Sequence, residues 1–180
     1  MKKHIRNALY FVLGVLGMNS TPALACVEMY LCIDGIEGES TSEKHTNCID
    51  VLAWSWGMSN SGTTHIPDGG GGKVAVQDLS LTKYIDKATP DLMLRVANGK
   101  HLIDAQLYNY RCGDGPVEYF DLLLEDLIVT SVSTGGSGGE SRLTENVTLN
   151  FAKVEWCYTP QDDKVGAECY GWDIKANTPK

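Results

Sequence analysis

No C-x-x-C pair occurs anywhere in this chain, which removes a zinc ribbon and a thioredoxin-like redox site from consideration. Histidine is scarce, and His45, His65 and His101 are scattered without metal-ligand spacing, so no metal or other cofactor is expected. Long apolar runs are missing too. The longest, Ala8 to Met18, falls well short of the roughly 20 residues that a spanning helix needs, and no insertion of the mature chain into a membrane is expected. Positive charge is in deficit: 15 Lys and Arg stand against 23 Asp and Glu, a formal charge of -8. Such a chain repels nucleic acid and anionic membranes, and its acidity reads as solubility. Internal repeats and linkers long enough to join domains are also lacking, which leaves a single domain.

Motifs that carry chemistry fail on context. Gly135-Gly136-Ser137-Gly138-Gly139 matches G-x-S-x-G in letters, but a nucleophile elbow needs a helix after it, and here another strand-like run follows. Gly69-Gly70-Gly71-Gly72-Lys73 invites a phosphate-loop reading, yet Val74 stands where a magnesium-binding Ser or Thr would be. Asp34, Asp50, Asp78 and Glu125 could meet as a carboxylate pair only by tertiary accident; each reads as a turn or solvated strand residue. No catalytic residue is expected, and a small hydrolase is the weakest reading of the chain.

The N-terminus has the layout of a secretory signal peptide. Lys2, Lys3 and Arg6 precede the apolar run, and Ala23-Leu24-Ala25 supplies the small-residue cleavage pattern. Cleavage after Ala25 gives a leader of 1–25 and a mature domain of 26–180, released to the periplasm or the exterior of a bacterial cell. Cys26 would then be the first mature residue, where lipidation is conceivable, but Leu24 and Pro22 suit a lipobox poorly. All six cysteines survive cleavage, and an even number in an exported protein favours disulfides over buried thiols. Six cysteines can pair in many ways, and spacing does not resolve them. Cys157–Cys169 is favoured because both sit in strand-like runs around a polar loop; Cys32–Cys48 follows the same reasoning, which leaves Cys26 for Cys112.

The mature chain reads as mainly β, a two-sheet barrel or sandwich of short strands at regular spacing. Strands are expected at 27–34, 49–58, 72–81, 106–110, 115–130 and 168–174. Phe120, Leu122 and Leu124 alternate with polar residues, as do Val147, Leu149 and Phe151, after which the apolar parity moves to Val154, Trp156 and Tyr158. A bulge near Ala152 would produce that change. Trp54 and Trp56 share one strand face and suit core or subunit packing. One short flanking helix is expected at about 90–98. Thr89 caps it, Pro90 and Asp91 suit its first turn, Gly99 ends it, and Leu92, Met93, Val96 and Ala97 form the packing stripe. Loops are expected at 35–47, 59–71 and 134–141.

The run from Val129 to Trp156 resembles one family closely, as do Met29-Tyr30-Leu31, Ile49-Asp50-Val51-Leu52, Trp54-Ser55-Trp56-Gly57-Met58-Ser59, Val76-Gln77-Asp78-Leu79-Ser80 and Gly171-Trp172-Asp173-Ile174. It is similar to Hcp, the tube protein of bacterial type VI secretion, from about Val27 to Asn177. The resemblance implies a β-barrel with one helix, hexameric rings that stack into a tube, effectors carried in the lumen, and spike and sheath proteins as partners. Loops at barrel ends are the parts available to the next ring, which singles out Glu39, Ser40, Lys44, His65 and Asp68. Tube proteins of this family assemble in the cytoplasm, so the leader raises an alternative: an exported Hcp-like ring or binding protein outside any cytoplasmic tube.

Overall fold

The structure is a computed structural model and describes residues 26–62, 72–111, 117–160 and 165–180. The expected leader, His65, Asp68 and Cys112 lie outside those residues. In chain order the elements are β1 (Val27–Ile33), β2 (Ile49–Ser55), β3 (Met58–Asn60), β4 (Val74–Val76), β5 (Leu79–Tyr84), α1 (Thr89–Asn98), β6 (Leu102–Arg111), β7 (Val117–Thr134), β8 (Thr144–Tyr158), β9 (Glu168–Asp173) and β10 (Thr178–Pro179). Among the described residues the fold is mainly β with a single short helix, as the residue pattern predicts.

Six strands close on themselves. Antiparallel pairing runs β8-β5-β2-β1-β6-β7, and β7 pairs with β8 again to complete the barrel. Inside it the alternating residues of each strand meet: Leu31, Ile49, Leu79, Leu107, Leu122 and Leu149 are all essentially inaccessible. Burying a leucine is worth about 1.5–3 kcal/mol, so this shared interior is the main stabilising term. β3 and β4 form a small separate ribbon.

The two longest strands, β7 and β8, are paired along nearly their whole length. The other edge of β8 is divided: Thr144 to Leu149 pair with β5, whereas Lys153 to Tyr158 pair with β9. At the changeover the inward parity shifts in both strands together. Leu124 and Leu127 are buried on β7 and Phe151 and Val154 on β8, so each strand places two residues between consecutive core positions. Leu124 pairs with Val154 and Leu127 with Phe151, and between them Asp126, at φ 52°, stands across from Ala152. The bulge expected near Ala152 is therefore a matched irregularity of both strands that inserts no residue; the actual register shift of this pair lies between Val129 and Ser131.

Other expectations are corrected. The strand expected at 49–58 divides into β2 and β3, and that at 72–81 into β4 and β5, with Gln77 N–H donating to Gly57 O at 2.9 Å where the two breaks meet. β6 is longer than 106–110, and the loop expected at 134–141 lies at 135–143, because β7 runs to Thr134 and β8 begins at Thr144. Thr89 is not the cap of α1. It is buried inside the first turn; the N-cap position is Ala88, which has no side-chain cap bond, and Asp86 accepts from the Ala88 N–H at 2.9 Å just before the helix. Gly99 does end the helix, at φ 60° with its N–H on Arg95 O. Of the expected stripe only Leu92 is buried; Met93, Val96 and Ala97 are exposed.

Thr89 belongs instead to a buried polar network. Lys83 and Glu145 are ladder partners on β5 and β8, continuing the inward rows of Leu79 and Leu81 and of Val147 and Leu149. Lys83 Nζ lies 2.8 Å from Glu145 Oε1 and 2.6 Å from Asp86 Oδ1, and it donates to Tyr84 O at 2.9 Å. Thr89 Oγ1 donates to Glu145 Oε1 at 2.8 Å. A charge pair with no solvent access survives only when both ions are also hydrogen-bonded, and here the bonds tie the start of α1 to the barrel end. Glu145→Ala, which leaves the Lys83 ammonium with Asp86 and the Tyr84 carbonyl, is expected to lower unfolding free energy by about 1.5–3 kcal/mol in denaturant titration, whereas the double change Lys83→Met with Glu145→Leu should cost less.

Candidate functional site

A protein expected to assemble acts through surfaces, and three stand out. The first is the loop 34–48 between β1 and β2. Rather than projecting freely, it is folded back on the barrel. Gly38 N–H donates to Asn47 O at 2.7 Å, Ser40 N–H to Cys48 O at 2.9 Å, and Asn47 N–H to Ser40 O at 3.0 Å. Gly38 is needed here, because a Cβ would strike the Cys48 carbonyl. Cys32 and Cys48 close the base, bonded at 1.98 Å, one ladder step beyond the pair Leu31 and Ile49. Cys157 and Cys169 are directly opposed on β8 and β9 and bonded at 2.00 Å. The pairing of Cys26 with Cys112 lies outside the described residues.

His45 anchors the loop. It is buried, stacked on Tyr30 with ring centroids 5.0 Å apart and set against Tyr108 at 4.2 Å. Its Nε2 is 2.9 Å from Tyr110 Oη, which donates to Glu118 Oε2 at 2.7 Å. Burial holds the imidazole below its usual value; the Glu118 carboxylate opposes that shift and Lys44 adds to it. Burial likewise raises the Tyr108 phenol, and it raises Tyr110 further with help from the bond to Glu118. Spacing along the chain marks His45 only as an isolated histidine and gives no sign of this cage, because residues 30, 45, 108, 110 and 118 meet only through the β1–β6–β7 register.

The singled-out loop residues have different surroundings. Lys44 is exposed with its ammonium 5.1 Å from the Tyr110 ring centre. Glu39 is exposed and accepts from Lys87 N–H at 3.1 Å, beside an ion pair of Lys87 with Glu37 that fastens the loop to the approach of α1. Ser40 is buried, with Oγ accepting from Ser42 N–H, so it offers no side chain to a neighbour.

The second surface is the outer side of α1, where Met93, Leu94 and Val96 are exposed, flanked in sequence by Ile85 and by Ile103 at 72% exposure. The third is a groove of about 520 Å³ between the β3–β4 ribbon and β8–β9, lined by Met58, Asn60, Val74, Trp156, Trp172 and Asn177. Trp172 Nε1 there is buried and has no hydrogen-bond partner among the described residues. Trp54 packs flat on Phe120 and donates to Asn109 Oδ1 at 2.7 Å, while Trp56 meets Trp156, so both indoles serve packing.

The residues weighed for catalysis remain apart in their bonding. Ser137 sits in the β7–β8 turn and bonds Glu140 at 3.3 Å. Asp78 accepts from Asn150 and Thr130, and Glu125 pairs with Lys180.

A family model described as type VI secretion system effector, Hcp, matches residues 30–158. Protein hcp1 of Pseudomonas aeruginosa is 54% identical over 157 residues, which cover 84% of this chain and 97% of that protein. Among solved structures, Hcp1 from Salmonella typhimurium aligns with a TM-score of 0.72 at 37% identity, over 86% of this chain and 99% of that one. A type six secretion system protein aligns with a TM-score of 0.81 at 26% identity, over 86% of this chain and all (100%) of that one.

The lowered imidazole has a consequence for stability. Unfolded, His45 takes up a proton near its ordinary value of about 6.5, whereas the folded cage resists it. Stability from this group is thus intact above that value and declines as pH falls through it towards the folded one. The stability difference between wild type and His45→Gln should be flat above about pH 7 and narrow progressively below about pH 6.5 in denaturant titrations.

Proposed function

This chain belongs to the Hcp family of type VI secretion proteins, and on that footing we propose that it forms hexameric rings that stack into a conduit able to carry effectors. It is a structural component of secretion and not an enzyme. The observation that carries the reading is the 54% identity to a protein hcp1 across 97% of that protein's length. Ring closure by head-to-tail contact needs two unlike complementary surfaces on one protomer. The apolar outer side of α1 and the groove beside Trp172 supply two such surfaces, on a chain whose acidity otherwise keeps it soluble. Stacking falls to the barrel ends, where Lys44 and Glu39 are exposed on the folded loop, with His65 and Asp68 as further candidates. Spike, sheath and effector proteins are the partners this role implies.

A second reading is an exported ring or binding protein working outside any cytoplasmic tube. It is favoured by the leader pattern of residues 1–25 and by the two cross-strand disulfides, which fit an oxidising compartment. Intact mass of the exported protein separates the two: an N-terminus at Met1 supports delivery through the machine, and one at Cys26 supports general export, with any added lipid visible in the same spectrum.

Two substitutions test assembly. Val96→Glu places a charge on the outer side of α1 and is expected to convert the hexamer to smaller species, with more than tenfold weaker association, in light scattering; an unchanged hexamer removes this surface from the ring contact. Deleting Glu39–Lys44 would also undo the Ser40 bonds to Asn47 and Cys48. Lys44→Glu is therefore the cleaner test of stacking: electron micrographs should show rings without tubes, and normal tubes would refute the role.

A further inference from the structure

Cys32, Cys48 and His45 converge at the base of the loop 34–48, and their ligand atoms lie within 4.8 Å of one another. The two imidazole nitrogens have unequal surroundings. Tyr110 Oη gives its single proton to Glu118 Oε2 at 2.7 Å, so across the 2.9 Å contact with His45 Nε2 the imidazole must be the donor. That tautomer leaves Nδ1 as a bare lone pair. What it faces is Cys32 Sγ at 3.8 Å, and a disulfide sulfur has no proton to offer it. The side chain is buried at 7% exposure, and no donor among the described residues reaches that lone pair. An imidazole whose far N–H is held by a hydroxyl–carboxylate chain, with its near nitrogen aimed at cysteine sulfur, has the posture of a metal ligand with its supporting shell in place.

We propose that these three residues form a redox-exchangeable site for a thiophilic divalent cation of the zinc type. With the bridge closed, the disulfide clasps the loop. A thiol reductant opens it: the S–S bond breaks, two protein thiols form, and the reductant leaves as its own disulfide. One Zn²⁺ then binds Cys32 Sγ, Cys48 Sγ and His45 Nδ1, and the two thiol protons go to solvent. Ligand distances of about 2.3 Å to sulfur and about 2.0–2.1 Å to nitrogen require the sulfurs to part. The place of the bridge permits this, since Cys48 lies just before β2, beyond the last paired residues Leu31 and Ile49. A cavity of about 230 Å³ lined by Glu28, Tyr30, Ser42, Lys44 and Tyr110 reaches His45 and gives the ion a path and a solvent ligand. The loop would thus be clasped in a reducing compartment by metal and in an oxidising one by sulfur.

The test is cobalt titration of the full mature chain, oxidised and after reduction with a phosphine under argon. Reduced protein is expected to take up one equivalent of Co²⁺ with a thiolate-to-cobalt charge-transfer band that Zn²⁺ bleaches, and oxidised protein none. Cys32→Ser with Cys48→Ser should abolish the band, although Cys157 and Cys169 still supply thiols. His45→Ala and, as a variant that keeps the imidazole, Tyr110→Phe should each weaken binding by about 10–100-fold. Absence of the band from reduced wild type overturns the proposal, whether or not the reduced chain stays folded. So does a band that survives loss of Cys32 and Cys48, or affinities unchanged in both His45→Ala and Tyr110→Phe.

Discussion

The pairing of β8 with strands on both of its edges is the constraint from which the rest of the structure follows. A sheet that ends in a free edge offers unsatisfied backbone groups to any other chain, and closure removes that liability. Here β8 bonds β7 on one side and, on the other, first β5 and then β9. The first half of the strand shuts the barrel and the second half builds out from it. Both β7 and β8 must change inward parity at the changeover, which is why Asp126 takes a positive φ opposite Ala152 and why two residues, Glu125 and Asp126 on β7 and Ala152 and Lys153 on β8, separate consecutive core positions.

Closure also creates the barrel end at which Lys83 and Glu145 meet. Each continues a row of inward residues one step past the apolar part, and each would be intolerable there alone. Their attraction is supplemented by Asp86 and Thr89, so the ion pair positions α1 as well as joining β5 to β8. The helix then covers the barrel with little more than Leu92, leaving Met93, Leu94 and Val96 on the outside. A stripe that reads as packing surface is thereby freed for contact with another molecule.

Much of the fold was legible because it rests on local periodicity. Alternation in Phe120–Leu124 and Val147–Phe151 marked β7 and β8, and Gly99 marked the end of α1 through its tolerance of positive φ. The disulfides Cys32–Cys48 and Cys157–Cys169 were accessible to the same reasoning, since facing residues of adjacent strands bring their Cβ atoms close. Gly57 and Gln77, where two expected strands each break in two, left no clear mark, because their hydrogen bond joins segments twenty residues apart. Thr89 looked like a cap from its neighbours alone, and only the position of Glu145 drew it into the interior. The inward parity of Lys83 and Glu145 was a usable sign, readable once β5 and β8 were known to face the core.

The family, the mainly β character, the helix α1 and the lack of catalytic context can all be read along the chain, because motifs, periods of two and turn residues are properties of neighbouring positions. Tertiary structure decided which residues meet across the barrel: His45 with Tyr30, Tyr108 and Tyr110, Lys83 with Glu145, and the loop 34–48 with the strands beneath it. Those contacts depend on strand register, and register is set by closure of the whole sheet rather than by any segment within it.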